Sequence, residues 1–403
     1  MKITKNTLLI LLLSLCASSL YAAEKTTGKY LNWATTIADS EIKHRPELWQ
    51  ADFVKKPKWD YTQGLVAKSM LMLFAQTGDS AYYNYVKTFA DFFVDSDGNI
   101  LTYKMSDYSL DRVNGGKFLI DMYHYTKEEK YLKAVQILRK QFDTQPRTHI
   151  GVFWHKKIYP YQVWLDGLYM GAPFYAEYAK TFNENTDAVY ADAVKQFVLA
   201  DSVTLDKKTG LNFHAWEETR NQRWADPITG HSPHFWGRSM GWYMMAMADA
   251  LEILPEGYPQ RDKIQANFNR LTAALAKYQD KKTGMWYQVT DLAKRKGNYV
   301  ESSCSAMFVY AIAKGVNKGF LPEKYRKLAI TAFDGLTKNA TQVNADGTTS
   351  ITKACSVAGL GGNPYRDGSF EYYVGEPIRN DDPKVIGPFI MAALEMNKLI
   401  TSK

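Results

Sequence analysis

The chain has 403 residues, 46% of them apolar and 23% charged, with a formal net charge of +8. Its Lys and Arg are scattered rather than clustered, which argues against a nucleic-acid-binding stripe, and the three cysteines and seven histidines show no metal-site spacing. A mild positive excess suits an acidic small molecule or glycan, and 27 Tyr with 10 Trp supply flat rings that stack on sugars or fill a large core.

At the N-terminus, Lys2 and Lys5 precede the apolar run "LLILLLSLCASSLYAAE". Its short apolar core followed by small residues is the layout of a secretory signal peptide, with cleavage near Ala22 or Ala23. Cys16 is the competing lipid anchor, but Leu15 before it fits a small-residue processing site poorly. Residues 1–22 are therefore expected to leave. What remains is roughly 380 residues with 48 basic and 42 acidic side chains, a net charge of +6. No second long apolar run follows. The expected product is a single exported domain over residues 23–403, periplasmic or secreted, monomeric and without stable membrane insertion. Cys304 and Cys355 remain in it, either paired in an oxidising compartment or as two buried free thiols.

Helical periodicity dominates the rest. It predicts helices over 28–44, 61–77, 79–94, 109–126, 128–143, 163–182, 186–203, 237–254, 259–280, 301–317, 323–338 and 383–399. The stretch "KSMLMLFAQTGDSAYYNYVKTFADFFV" shows the recurring unit: an apolar helix ends at Gly78, and Asp79 caps a second helix with one polar face. A helix apolar all round must be buried on every side, whereas an amphipathic one covers an outside. Twelve helices alternating in this way read as six hairpins, an inner ring wrapped by an outer one. The fold class is all-α, an (α/α)6 barrel. A linear helical solenoid is the competitor, but its repeats would resemble one another more closely.

Long loops rich in Gly, Trp and Tyr separate the hairpins, among them "HAWEETRNQRWADPITGHSPHFWG" and "NADGTTSITKACSVAGLGGNPYRDGSFEYYVGEPIRNDD". Loops of this kind in a compact domain line functional clefts. "GLGG" is not a phosphate loop, because no strand precedes it and no Lys-Ser/Thr follows.

Within "YQVWLDGLYMGAPFYAEYAK", Asp166 stands two residues after Trp164 at the start of an apolar helix. The helix dipole alone favours a carboxylate there, but burial among aromatics would make it a proton donor. Asp111 in "YSLDRVNGG" sits at a similar helix start, as a first-turn acid or as a second carboxylate facing the same cavity. His214 lies in an aromatic loop, and the neighbouring Glu217 and Glu218 read as a solvated rim. In "HFWGRSMGW", Arg238 either pairs with a structural carboxylate or, between Trp236 and Trp242, binds an anionic group. Tyr61 in "WDYTQG" shares that ambiguity.

The stretches "VWLDGLYMGAPFYAEYA", "WADPITGHSPHFWGRSMGWY", "SAMFVYAIAKG" and "YRDGSFEYYVGEPIRNDD" together resemble glycoside hydrolase family 105 over nearly the whole mature chain. That family comprises unsaturated rhamnogalacturonyl hydrolases and related unsaturated β-glucuronyl hydrolases. The resemblance implies an (α/α)6 barrel, no cofactor, and removal of the Δ4,5-unsaturated uronic acid that polysaccharide lyases leave at a non-reducing end. The bond broken is not attacked at the anomeric carbon. The C4=C5 double bond is hydrated instead, and the resulting hemiketal falls apart. The family's catalytic aspartate matches Asp166 as acid and base, and Asp111 matches a positioning carboxylate. Tyr61, Trp164, His214, Trp236, Arg238 and Trp242 match binding positions, with Arg238 or His214 answering the uronate carboxylate. Readings kept beside it are an unsaturated glucuronyl hydrolase of ulvan-like glycans, an ordinary glycosidase, a polysaccharide lyase, and a non-catalytic periplasmic oligosaccharide-binding protein.

Overall fold

The computed structural model describes residues 28–184 and 186–401, so the expected signal peptide lies outside the described residues. The inner helices are α2 (Tyr61–Thr77), α5 (Gly116–Thr126), α7 (Leu165–Phe182), α9 (Gly237–Ile253), α11 (Ser302–Asn317) and α14 (Pro383–Thr401). Each packs on the next in that order, and α14 returns to α2, which closes the ring. The outer helices are α1 (28–44), α3 (Ser80–Phe93), α6 (Glu129–Lys140), α8 (Thr186–Thr204), α10 (Arg261–Tyr278) and α12 (Arg326–Asn339). The fold is an (α/α)6 barrel.

Burial follows the two demands placed on these helices. α9 is buried without a break from Gly237 to Ala248, whereas α6 buries Tyr131, Ala134, Val135, Leu138 and Arg139, a single helical face. Inner helices run parallel. Arg238 in the first turn of α9 meets Ser303 in the first turn of α11, and Lys314 near the end of α11 meets Asp249 and Glu252 near the end of α9. All inner N-termini therefore open at one mouth.

Two departures from the helical expectation shape that mouth. The segment expected as one helix over 109–126 is broken into α4 (Leu110–Val113) and α5. A Cβ on Gly115 would lie 2.3 Å from the Trp59 ring, and Gly115 itself lies 3.0 Å from where a Cβ on Gly64 would be. Close approach of α2 thus interrupts the helix and leaves Asp111 on a separate short turn. The second departure is a set of short antiparallel ladders that the helical pattern does not reveal. β1 (Gln162–Trp164) pairs with β2 (Ala215–Glu217), β3 (Trp286–Tyr287) with β4 (Val300–Glu301), β5 (Thr341–Val343) with β6 (Thr349–Ile351), and β7 (Ala354–Cys355) with β8 (Ile378–Arg379). Where 163–182 was expected as helix throughout, Val163 and Trp164 belong to β1. The strands β1 and β4 lead directly into α7 and α11, so a hydrogen-bonded belt stitches the inner-helix entrances together.

The chain reaches this belt through a repeated turn. After α8, Asp206 accepts bonds from Thr209 N (2.9 Å) and Oγ1 (2.6 Å). After α10, Asp280 does the same with Thr283 N (2.8 Å) and Oγ1 (2.7 Å). Cys304 and Cys355 are both buried free thiols. Gly115→Ala is expected to cost about 1–3 kcal/mol by overpacking against Trp59, while Gly28→Ala, with nothing within 4 Å, stays near wild type. Urea denaturation of both variants checks this.

Candidate active site

The β1–β2 ladder sets the centre of the site. Trp164 pairs with Ala215, and Leu165 N donates to His214 O at 3.2 Å, so the residues flanking the ladder are held together. Asp166 in the first turn of α7 then meets His214. Their Oδ2 and Nε2 atoms stand 3.5 Å apart, both buried, and neither makes a hydrogen bond. Only 13% of the Asp166 side chain is exposed and none of His214. The other ring nitrogen, Nδ1, lies 2.7 Å from the Tyr373 hydroxyl. Tyr373 comes from α13 (Phe370–Gly375), inside the long last loop.

Trp164 forms an aromatic wall beside this pair. It stacks with both His155 (5.1 Å, 10°) and Tyr159 (4.8 Å, 13°), which also lie parallel to each other, makes an edge contact with His214, and donates from Nε1 to Gln162 Oε1 at 2.9 Å. Asp111 lies behind His155, 3.3 Å from its Nε2 and ion-paired with Lys156. Burial works to raise the Asp111 carboxyl, but Lys156 and His155 outweigh it and hold the group below the usual carboxylate range. Burial also pushes His155 from the ordinary 6.5 down to about 4, against the pull of Asp111.

Arg238 is engaged inward rather than offered to a ligand. Its Nε donates to Ser303 Oγ (2.7 Å), its Nη1 to Ser356 O (3.4 Å) and its Nη2 to Cys355 O, while Glu301 Oε1 lies 3.5 Å away. Glu301 is fully buried and also accepts from Ser303 N (3.1 Å), Cys304 N (2.7 Å) and Cys355 N (2.9 Å). Of the two readings of Arg238, the pairing with a structural carboxylate is the one the geometry displays. Trp236 caps α9 without a side-chain cap bond. Its orphaned end is tied instead by Gly237 N to Gln288 O (2.9 Å) and by its own indole to Gln288 Oε1 (3.1 Å).

Trp236 stacks on Tyr373 and tilts against His214, and it is almost wholly covered. Trp242 is equally buried, between the half-buried Tyr61 (6.1 Å) above and Tyr169 (5.0 Å) below. Trp236 and Trp242, the rings expected to stack on a sugar, are thus both buried among other aromatic side chains. Burial pushes the Tyr61 phenol well up, aided by Asp52 and Asp111. Glu217 and Glu218 are not a solvated rim. Glu217 is buried and accepts from Thr219 N (3.0 Å) and Asn221 N (2.6 Å), and Glu218 accepts from His149 N (2.8 Å). A cleft of about 670 Å³ adjoins the Trp164 wall, lined by Tyr159, Gln162, Gln222, Arg366 and Tyr372 among others.

Sequence reasoning missed His155, Lys156, Gln288, Glu301 and Tyr373. The dipeptide His155-Lys156 shows no spacing to Asp111, and Glu301 looks like a helix cap, which it also is. Tyr373 stands within the quoted "SFEYYVGEP", but no local pattern ties it to a histidine 159 positions away.

A closed double ring of helices, with a carboxyl and an imidazole facing each other beside an aromatic wall, defines the class: an (α/α)6 carbohydrate-processing enzyme. The model of Glycosyl Hydrolase Family 88 matches residues 33–400. The solved family 105 glycoside hydrolase of C. acetobutylicum superposes with a TM-score of 0.86 at 44% identity, covering 90% of this chain and 98% of that one. Unsaturated rhamnogalacturonyl hydrolase YesR of Bacillus subtilis is 25% identical over 304 residues, covering 74% of this chain and 80% of YesR. The unsaturated 3S-rhamnoglycuronyl hydrolase of Alteromonas sp. strain LOR is 26% identical over 241 residues, 58% of this chain and 50% of that one. The chain belongs to the unsaturated glycuronyl hydrolases of families 88 and 105, in agreement with the motif resemblance, and is a hydrolase of that class.

The His155 shift has a consequence for stability. A histidine whose folded pKa is depressed from 6.5 to about 4 contributes stability fully above pH 6.5 and loses it progressively as pH falls toward 4. The full contribution is about 2–4 kcal/mol. Urea unfolding between pH 7 and 4 is expected to show this decline, and His155→Gln to flatten it. An unchanged slope in the variant would contradict the burial of a neutral ring.

Proposed function

We propose that this hydrolase removes the Δ4,5-unsaturated galacturonyl residue from the non-reducing end of lyase-generated rhamnogalacturonan oligosaccharides. The observation that carries the reading is the Asp166–His214 pair, two buried polar atoms 3.5 Å apart with no hydrogen bond of their own. Buried polar groups are normally satisfied. A pair left open beside an aromatic wall is a site awaiting a ligand, and the match to a hydrolase family favours catalysis there over binding alone.

Asp166 acts as general acid and then base. Its carboxyl gives a proton to C4 of the unsaturated uronate, and water adds at C5 as the carboxylate takes a proton back. The hemiketal at C5 then opens, and the former anomeric acetal, now a hemiacetal, expels the neighbouring sugar. With Oδ2 buried against His214, Oδ1 is the oxygen left to meet C4. Asp111, held ionised by Lys156, accepts from substrate hydroxyls or water rather than donating. Trp164 and Tyr61 are the proposed sugar-binding rings, while Arg238 acts through Glu301 and Trp236, whose places it holds. The likeness to YesR supports the rhamnogalacturonan substrate. The leader-like N-terminus supports export to where lyase products are found. A second reading, an unsaturated glucuronyl hydrolase of ulvan-like or other acidic glycans, is supported by the likeness to the Alteromonas unsaturated 3S-rhamnoglycuronyl hydrolase.

The conjugated uronate absorbs in the ultraviolet, and hydration removes that absorbance. Purified protein mixed with unsaturated rhamnogalacturonan disaccharide is expected to bleach it, and Asp166→Asn to slow bleaching by about 10²–10⁴-fold. Bleaching only of an unsaturated glucuronyl substrate would select the second reading. Unchanged absorbance across unsaturated uronides would overturn both.

A further inference from the structure

Tyr373 has no part in the chemistry just described, yet it is the best-clamped side chain around it. It is fully buried. Its carbonyl accepts from Gln288 Nε2 at 3.0 Å, Gln288 in turn accepts from the Trp236 indole at 3.1 Å, and the Trp236 ring stacks on the phenol at 6.1 Å and 24°. The hydroxyl so fixed lies 2.7 Å from His214 Nδ1. We propose that Tyr373 is a positioning residue whose hydroxyl donates to His214 Nδ1, selecting the tautomer that carries its proton on Nε2 and aims it at Asp166 Oδ2.

Two considerations fix the direction of that bond. Among the described residues, His214 is the one hydrogen-bond partner of the Tyr373 hydroxyl. If the ring donated from Nδ1, the phenolic proton would be buried without an acceptor, the more costly arrangement. With the acid's proton on Oδ1, the oxygen that meets C4, the Nε2 lone pair would then face a bare Oδ2 at 3.5 Å, acceptor against acceptor. With the phenol donating, both conflicts vanish. Burial also pushes the phenol well up, so it stays a protonated donor. The groups facing it, Tyr372, Asp166, Asp367 and Cys355, all act in that same direction.

The consequence for the reaction rests on the acid/base assignment of Asp166. A proton on Nε2 pins Oδ2, leaves Oδ1 as the oxygen that carries the proton to C4, and steadies the carboxylate formed after transfer. Removing the hydroxyl in Tyr373→Phe releases the tautomer without emptying the stack on Trp236. It is expected to lower kcat by about 10–10²-fold with KM little changed, and to shift the pH–rate profile.

The direct readout is the ring-nitrogen NMR of ¹⁵N-histidine-labelled protein, with His214 identified by loss of its signals in His214→Gln. Wild type is expected to show a protonated Nε2 and an unprotonated, hydrogen-bonded Nδ1, and Tyr373→Phe to show exchange between tautomers. A protonated Nδ1 with bare Nε2 in wild type would overturn the proposal without Tyr373→Phe needing to fold. So would a Tyr373→Phe protein whose His214 signals and pH profile match wild type. If Asp166→Asn keeps its activity while wild-type His214 still holds its proton on Nε2, the acid assignment falls and the positioning role stands.

Discussion

Closure of the inner ring is the constraint on which the rest depends. Six helices apolar on every side can be buried only against one another and under a second layer, and joining them through outer helices makes them parallel. Their N-termini therefore gather at one mouth, where unsatisfied backbone N–H groups and favourable dipole ends attract carboxylates. Asp60, Asp111, Asp166, Glu301 and Asp382 all stand at or beside inner-helix starts. The ring creates the site by concentrating acidic groups in a space poor in water.

Most of those charges are then neutralised. Glu301 caps α11 and faces Arg238, Asp111 is held by Lys156, and Lys384 pairs with Asp382 at 2.9 Å. At the opposite end of the barrel, Lys314 joins Asp249 and Glu252, each at 2.7 Å. Other buried polar atoms near the mouth also lack a bond, His155 Nδ1 and Asp382 Oδ2 among them, but in Asp166 and His214 the ladder sets two such atoms face to face at 3.5 Å. Buried polar atoms left without a bond are costly, so retention of this facing pair points to use rather than to stability.

The barrel was legible because its signal is long. Seventeen-residue α2 is predicted and observed over 61–77, and the all-round apolar pattern of α9 and α14 states its own burial. Asp111 and Asp166 were legible as helix-start acids. What closes around them was not. The ladders are two or three residues long, too short for any alternation to register, and the contact of Gly115 with Trp59 joins segments 56 positions apart in the chain. Arg238 could not be resolved between its two roles without Glu301, which is 63 positions away. Trp242 reads as a sugar platform by its neighbours in sequence and is a buried ring by its neighbours in space.

The central claim is that the double bond, not the anomeric carbon, is the point of attack, with Asp166 supplying the proton. Proton NMR of the reaction run in heavy water decides this at early times. Hydration predicts loss of the vinylic H4 signal in step with release of the neighbouring sugar, and one deuteron placed stereospecifically at C4. Release of an unsaturated uronate that still carries its vinylic proton would contradict it.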